Sequence, residues 1–168
     1  MPFGPNIITN QVDRLESAIG NWYPLPVVPS AGFIWSGDKA DIFTDLYLET
    51  ITGNLAKDFF TTLTLGAIYQ TEFDYYWPST SPDGEVSFRV TSDTAVGPST
   101  GFGSATRDAW LHRLNLTTVN PAFDNNTRRM LFDLFALNHG TYHAFIRNLS
   151  IRKYTAAKTD HLPLMGVH

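Results

Sequence analysis

Residues 123–154 read FDNNTRRMLFDLFALNHGTYHAFIRNLSIRKY, and the fold turns on how this stretch is built. From Arg129 onward, Met130, Phe132, Leu134 and Ala136 share one parity while Leu131, Asp133 and Phe135 share the other. That repeat of two is what a pleated strand requires, because successive side chains leave the backbone on opposite faces. Asn138-His139-Gly140 then supplies turn chemistry, with glycine able to take the positive φ of a tight reversal. Thr141 to Ile151 resumes β-branched and aromatic residues. The expectation is two strands joined as a hairpin. In the second strand Tyr142, Ala144 and Ile146 have one parity and Leu149 and Ile151 the other, so a bulge is expected near Arg147-Asn148.

The same stretch holds two histidines four apart. On a helix they would share a face and could chelate together, but here His139 falls in the turn and His143 in the returning strand. No third ligand follows at a useful spacing. Neither a metal centre nor a catalytic histidine is expected, and no cofactor is implied.

Further strands are expected at Asp41 to Ile51, Phe59 to Tyr69, Glu85 to Thr91 and Trp110 to Thr117. In EVSFRVT the alternation is clean, with Val86, Phe88 and Val90 inward and Ser87 and Arg89 outward. In the last of these, Trp110, His112, Leu114 and Leu116 form the parity expected to be inner or shielded, which makes His112 a satisfied core histidine. PSTSPDG at 78–84 and VGPSTGFGS at 96–104 read as loops, from their proline, glycine, serine and threonine. Val12 to Ile19 is the one helical candidate. Many short strands without alternating helices give an all-β, antiparallel β-sandwich.

Composition bounds the function. With 43% hydrophobic and only 17% charged residues, the 168-residue chain is a folding sequence with enough apolar surface for a core. A formal charge of −4 supplies no field that would recruit nucleic acid or an anionic membrane, and neither is expected as a partner. There is no cysteine, so disulfides and thiolate metal sites are excluded. The opening residues lack the basic head and apolar core of a secretory signal, and no apolar run approaches the ~20 residues needed to span a bilayer.

The two ends carry a resemblance. Asn6-Ile7-Ile8-Thr9-Asn10, then Glu16-Ser17, then Trp22 open the chain, and Asn126-Thr127-Arg128, Gly140 and Ile146-Arg147-Asn148-Leu149-Ser150-Ile151 close it. This pattern resembles the carbohydrate-binding-module and galactose-binding-like jelly rolls, of the kind also found in phage virion proteins. The resemblance implies a jelly roll over residues 1–154 whose first and last segments lie side by side, followed by an extended C-terminal arm at 155–168. Many such domains hold a structural calcium. Here Arg147 stands where their terminal aspartate would be, and a guanidinium has no lone pair to offer a cation. A weaker site near Asp13 and Glu16 is left open.

Candidate binding residues follow from Asp74-Tyr75-Tyr76-Trp77. Consecutive aromatics cannot all face one core from a strand, so at least one of these rings should reach a surface, where it could stack on a sugar or anchor a protein interface. In the arm, Leu162, Leu164, Met165 and Val167 offer apolar contacts for assembly. No glycine-serine-glycine elbow is present, so no catalytic residue is expected and the chain is not expected to be an enzyme. Two functions compete. The first is a non-enzymatic structural subunit on a phage virion surface, as a capsid decoration or tail component, contacting other copies of itself and other particle subunits. The alternative is a glycan-binding module using the aromatic segment, with a surface glycan as its partner.

Overall fold

The computed structural model describes residues 3–9, 11, 14–17, 22–24, 31–44, 53–59, 61–136 and 140–155. Among these there is no helix; the segment 14–17, inside the expected helix, is turn and bend, with Leu15 at φ +56°. Eleven strands form two antiparallel sheets. Sheet I joins β3 (Ala31–Ser36), β4 (Lys39–Thr44), β11 (Tyr142–Tyr154), β6 (Ile68–Tyr76) and β9 (Trp110–Thr118) in that order, with β1 (Phe3–Asn6) added along the end of β11. Sheet II joins β2 (Tyr23–Pro24), β5 (Gly53–Asp58), β10 (Arg129–Ala136), β7 (Gly84–Thr91) and β8 (Val96–Gly103). The chain passes repeatedly from one sheet to the other, so the expected β-sandwich of jelly-roll type is what forms.

The core is where the period-two pattern said it would be. Val86, Phe88 and Val90 of β7 and Met130, Phe132 and Leu134 of β10 point inward and are buried. They meet Tyr69 and Phe73 of β6 and Tyr142, Ala144 and Ile146 of β11 from the opposite sheet. Burying each large side chain is worth roughly 1.5–3 kcal/mol, and this is what holds the sheets together.

The two ends close on each other as the resemblance implied. The Ile7 N–H donates to the Ile151 carbonyl at 2.8 Å, and Asn6 Oδ1 accepts from the N–H groups of both Ile8 and Ile151 at 3.0 Å. The Leu149 N–H donates to the Arg14 carbonyl at 2.8 Å. The bulge expected near Arg147 is present, since the pairing of β11 with β6 shifts between Arg147 and Ser150 and Asn148 takes φ +58°.

Three expectations are corrected and one is met in part. The strands 129–136 and 142–154 both form, but not as a hairpin: β10 pairs with β5 and β7, and β11 with β1, β4 and β6. The two strands lie in different sheets, and turn chemistry between two strands does not by itself fix which partners each pairs with. Phe59 to Tyr69 is not one strand. β5 ends at Asp58, β6 begins at Ile68, and the loop between them buries Phe59 and Leu63, whose side chains gave the apolar spacing. Of the strand expected over 41–51, β4 covers Lys39–Thr44, and 45–51 lie outside the described residues. VGPSTGFGS is strand β8 and not a loop. It is an edge strand, where proline is tolerated, and its Thr100 and Phe102 point into the core. Residues 156–168 of the expected arm, with Leu162, Leu164, Met165 and Val167, lie outside the described residues, as do Asp13, Asn138 and His139.

Removing the Asn6 side chain leaves two backbone donors without their acceptor. Asn6→Ala should lower the unfolding free energy by about 1–3 kcal/mol, measured by urea titration, without changing the circular dichroism of the folded protein.

Candidate functional site

The segment singled out in the sequence divides by parity. Asp74 and Tyr76 stand on the outer face of sheet I, opposite His112 and Trp110 of β9. Tyr75 points inward and stacks on Phe102, with ring centroids 3.8 Å apart. Trp77 is fully buried and its indole N–H donates to the Pro82 carbonyl at 3.2 Å. Trp77 is therefore a core residue and not a ligand platform, and of the three rings only Tyr76 reaches the outer face. His112 is also corrected. Its side chain is 55% exposed on that face and its Nδ1 lies 2.9 Å from Asp74 Oδ1, a hydrogen bond that raises its pKa above the ordinary value. The parity was misassigned because β9 lies at the edge of its sheet, where the positions facing the other sheet are Arg113, Asn115 and Thr117, bonded to Ser99 and Thr100 of β8.

Asp74 anchors a set of polar contacts. Asn148 Nδ2 donates to its Oδ2 at 2.8 Å, and Arg147 of the bulge lies 3.7 Å away while pairing with Asp38 at 3.0 Å. Arg147 is thus committed to carboxylates. Among the described residues no group of three His, Asp or Glu side chains could hold a metal ion, and Glu16 is paired with Arg14 at 3.0 Å.

The outer face of sheet II is built differently. Register places Tyr23, Ala56, Leu131, Arg89 and Ser99 in one cross-strand row, and Asp133, Ser87 and Gly101 in the next. Ser99, Gly101 and Gly103 give β8 an outer surface almost without side chains, so the face is shallow on that side. Beside β7 lie a depression of about 260 Å³ between Thr91, Asp58 and Arg129 and one of about 380 Å³ over Ser87, Arg89, Ser99 and Gly101, while a third, of about 360 Å³, reaches from Glu85 and Gly101 past Phe102 to Tyr75 and Arg113 at the open edge between the sheets. The first two form a short track along the outward positions of the strand, from Thr91 past Arg89 to Ser87.

At its centre lies a charged pair. The Asp133 side chain is 2% exposed and its Oδ2 sits 3.1 Å from Nε of Arg89, whose own side chain is 40% exposed. Ser87 Oγ donates to the same oxygen at 3.4 Å, and Asp133 Oδ1 has no hydrogen-bond partner among the described residues. Burial raises the Asp133 pKa, with Arg89 and then Ser87 opposing it. The buried carboxylate thus forms an ion pair with a guanidinium whose side chain is partly open to solvent. At the near end, Tyr23 donates its hydroxyl to Asp58 at 3.0 Å.

Sequence reasoning placed Ser87 and Arg89 outward but missed the site. A signal was present: MLFDLF and VSFRV each carry one charge of opposite sign in the middle of an otherwise apolar or small strand. Reading β8 as a loop removed the floor that joins them into a surface.

No family model matches this chain, and no curated protein does. Solved structures do. A carbohydrate-binding module of family 4 superposes with a TM-score of 0.61 at 10% identity, over 86% of this chain and 99% of the module. The xylan-binding CBM22-1 domain of Xyn10C from Paenibacillus barcinonensis gives 0.53 at 11% identity, over 85% and 92%. The enzymatically active part of tailspike protein 4 from bacteriophage CBA120 gives 0.58 at 15% identity, over 88% of this chain but 21% of that one. The chain therefore has the jelly-roll fold of the carbohydrate-binding modules.

A carboxylate whose pKa is raised on folding binds its proton more tightly in the native state, so stability falls as pH rises from the free-carboxylate value of about 3.9 through the folded value. Asp133→Asn removes that contribution. Relative to wild type, the unfolding free energy of this variant should increase between acid and neutral pH, measured by denaturant titrations of both proteins across that range.

Proposed function

We propose that this protein is a glycan-binding module that lays a linear polysaccharide along β7 on the outer face of sheet II. The observation that carries this reading is the track itself: two depressions in line along the outward positions of β7, with the Arg89 guanidinium between them and Tyr23 in the same cross-strand row. A sugar chain presents hydroxyls at regular intervals along its length. Arg89 supplies fixed donors for them, Ser87 a hydroxyl, and Tyr23 an aromatic surface, while the small residues of β8 let the chain lie close to the backbone. Because Asp133 keeps Arg89 in place before ligand arrives, less side-chain freedom is lost on binding. The modules that share the fold support the same reading, one of them being described as xylan-binding.

The reading is binding without turnover. Glycosidic cleavage by paired carboxylates needs both to reach the bond, and Asp133 is sealed beneath Arg89. A second reading, a structural subunit on the surface of a phage particle, draws support from the tailspike match alone. It is the weaker of the two, since the other structures are carbohydrate-binding modules.

Affinity electrophoresis against soluble xylan and other neutral β-linked polysaccharides tests the proposal. Wild type should be retarded by at least one of them, and Arg89→Ala should weaken binding at least tenfold, about 1.4 kcal/mol. Tyr76→Ala, on the opposite face, should leave it unchanged. Retardation that survives Arg89→Ala but disappears with Tyr76→Ala would move the site to the other sheet, and no retardation by any glycan would end the reading.

A further inference from the structure

The outer face of sheet I has a character that glycan binding on sheet II does not use. One cross-strand row runs Ile34, Asp41, Phe145, Tyr76, Trp110. Below it, outward positions of β6 and β9 hold Glu72 and Leu114, Gln70 and Leu116, and then Ile68. Ile34, Ile68, Leu114 and Leu116 are each between 40 and 54% exposed. Among the described residues most of the exposed large hydrophobics thus gather on one face.

The rings in this row do not form a sugar platform. Tyr76 stacks against Phe145 at 5.6 Å and 25°, and on its other side packs against Trp110 at 5.7 Å and 53°. Lys39 Nζ lies 5.2 Å over the Phe145 ring, and the Arg147 guanidinium lies 3.9 Å over Trp110. Ring faces that a sugar would need are turned to one another or covered by cations. What reaches solvent is ring edges, leucine and isoleucine tips and paired charges, which is the composition of a protein interface.

Charge selects the partner. Lys39, Arg147 and Arg152, with His112 and His143, are matched on this face by Asp38, Asp41, Asp74 and Glu72, in pairs from 2.9 to 3.7 Å. With histidines neutral the chain as a whole carries −4, whereas the three cations and four carboxylates named on this face sum to −1, so two copies can approach here with little like-charge repulsion. Five strands spaced about 4.8 Å apart, from 6 residues in β3 and β4 to 13 in β11, give a face of roughly 700 Å², close to the ~800 Å² per partner of a standard interface.

We propose that this face packs against the same face of a second copy of the chain, forming a two-fold dimer in which Ile34, Ile68, Leu114 and Leu116 surround the ring row. The dimer stacks sheet on sheet and leaves both sheet II tracks facing outward. Light scattering on the full chain, over a range of concentrations through the micromolar, measures it. Wild type should approach twice 18.8 kDa. The paired substitution Leu114→Glu and Leu116→Glu should raise the dimer dissociation constant at least tenfold. It should leave the melting temperature of the monomer near that of wild type, because neither side chain belongs to the core. Ile34→Glu, at the opposite margin, should act in the same direction and guards against a misfolded double variant. Val96→Glu, on the outer side of sheet II, should not. A wild type that stays monomeric throughout, or a dimer indifferent to Leu114, Leu116 and Ile34, overturns the proposal. So would a dimer dissolved by Val96→Glu alone.

Discussion

The fold depends on an aromatic contact across the sandwich. Phe73 of β6 meets Phe132, Phe102 and Phe88 of the opposite sheet edge-on, with centroids 5.5, 5.6 and 6.3 Å apart, and Phe88 and Phe132 lie 4.8 Å from each other. These rings come from the inner strands of both sheets and from β8, and all are buried or nearly so. Edge-to-face pairs add to the gain from burial itself. Once this cluster fixes which parity of each strand points inward, the other parity has no choice but to face out. Both surfaces discussed here are what the core leaves over.

The two leftover faces differ because their strands differ in side-chain size. On sheet II the edge strand β8 carries serine and glycine outward, so the surface is low and the charged pair Arg89–Asp133 sits in a hollow. On sheet I the outward residues are rings, arginines and leucines, which fill their own surface and pair among themselves. The first arrangement leaves donors without partners in a depression. The second satisfies its charges and exposes hydrocarbon. A polar polymer suits the former, and a matching protein surface the latter, for the same reason that buried polar groups need partners and exposed apolar patches need cover.

Some of this was legible residue by residue. Met130, Phe132 and Leu134, and Val86, Phe88 and Val90, point inward because a period of two is enforced locally by the pleat. The break in parity after Ile146 announced its bulge. Less legible were segments whose apolar spacing comes from a loop, as with Phe59 and Leu63, or whose loop-like composition hides an edge strand, as in β8. The proposed glycan site fell in that gap. Arg89 and Asp133 are visible as lone charges in two strands, but only their register as neighbours turns them into one feature.

The amino-acid sequence by itself determined the class: strand after strand with alternating faces, and ends whose asparagine and Leu-Ser-Ile segments find each other. Those properties are local, or carried by a few side chains whose hydrogen-bonding needs are explicit. Only the tertiary structure decided that β10 and β11 lie in different sheets, that Trp77 is core while Tyr76 is surface, and that His112 faces solvent beside Asp74. A strand's alternation is the same whichever neighbour it pairs with and whichever face is covered. Partner and face are chosen by the packing of the whole sandwich.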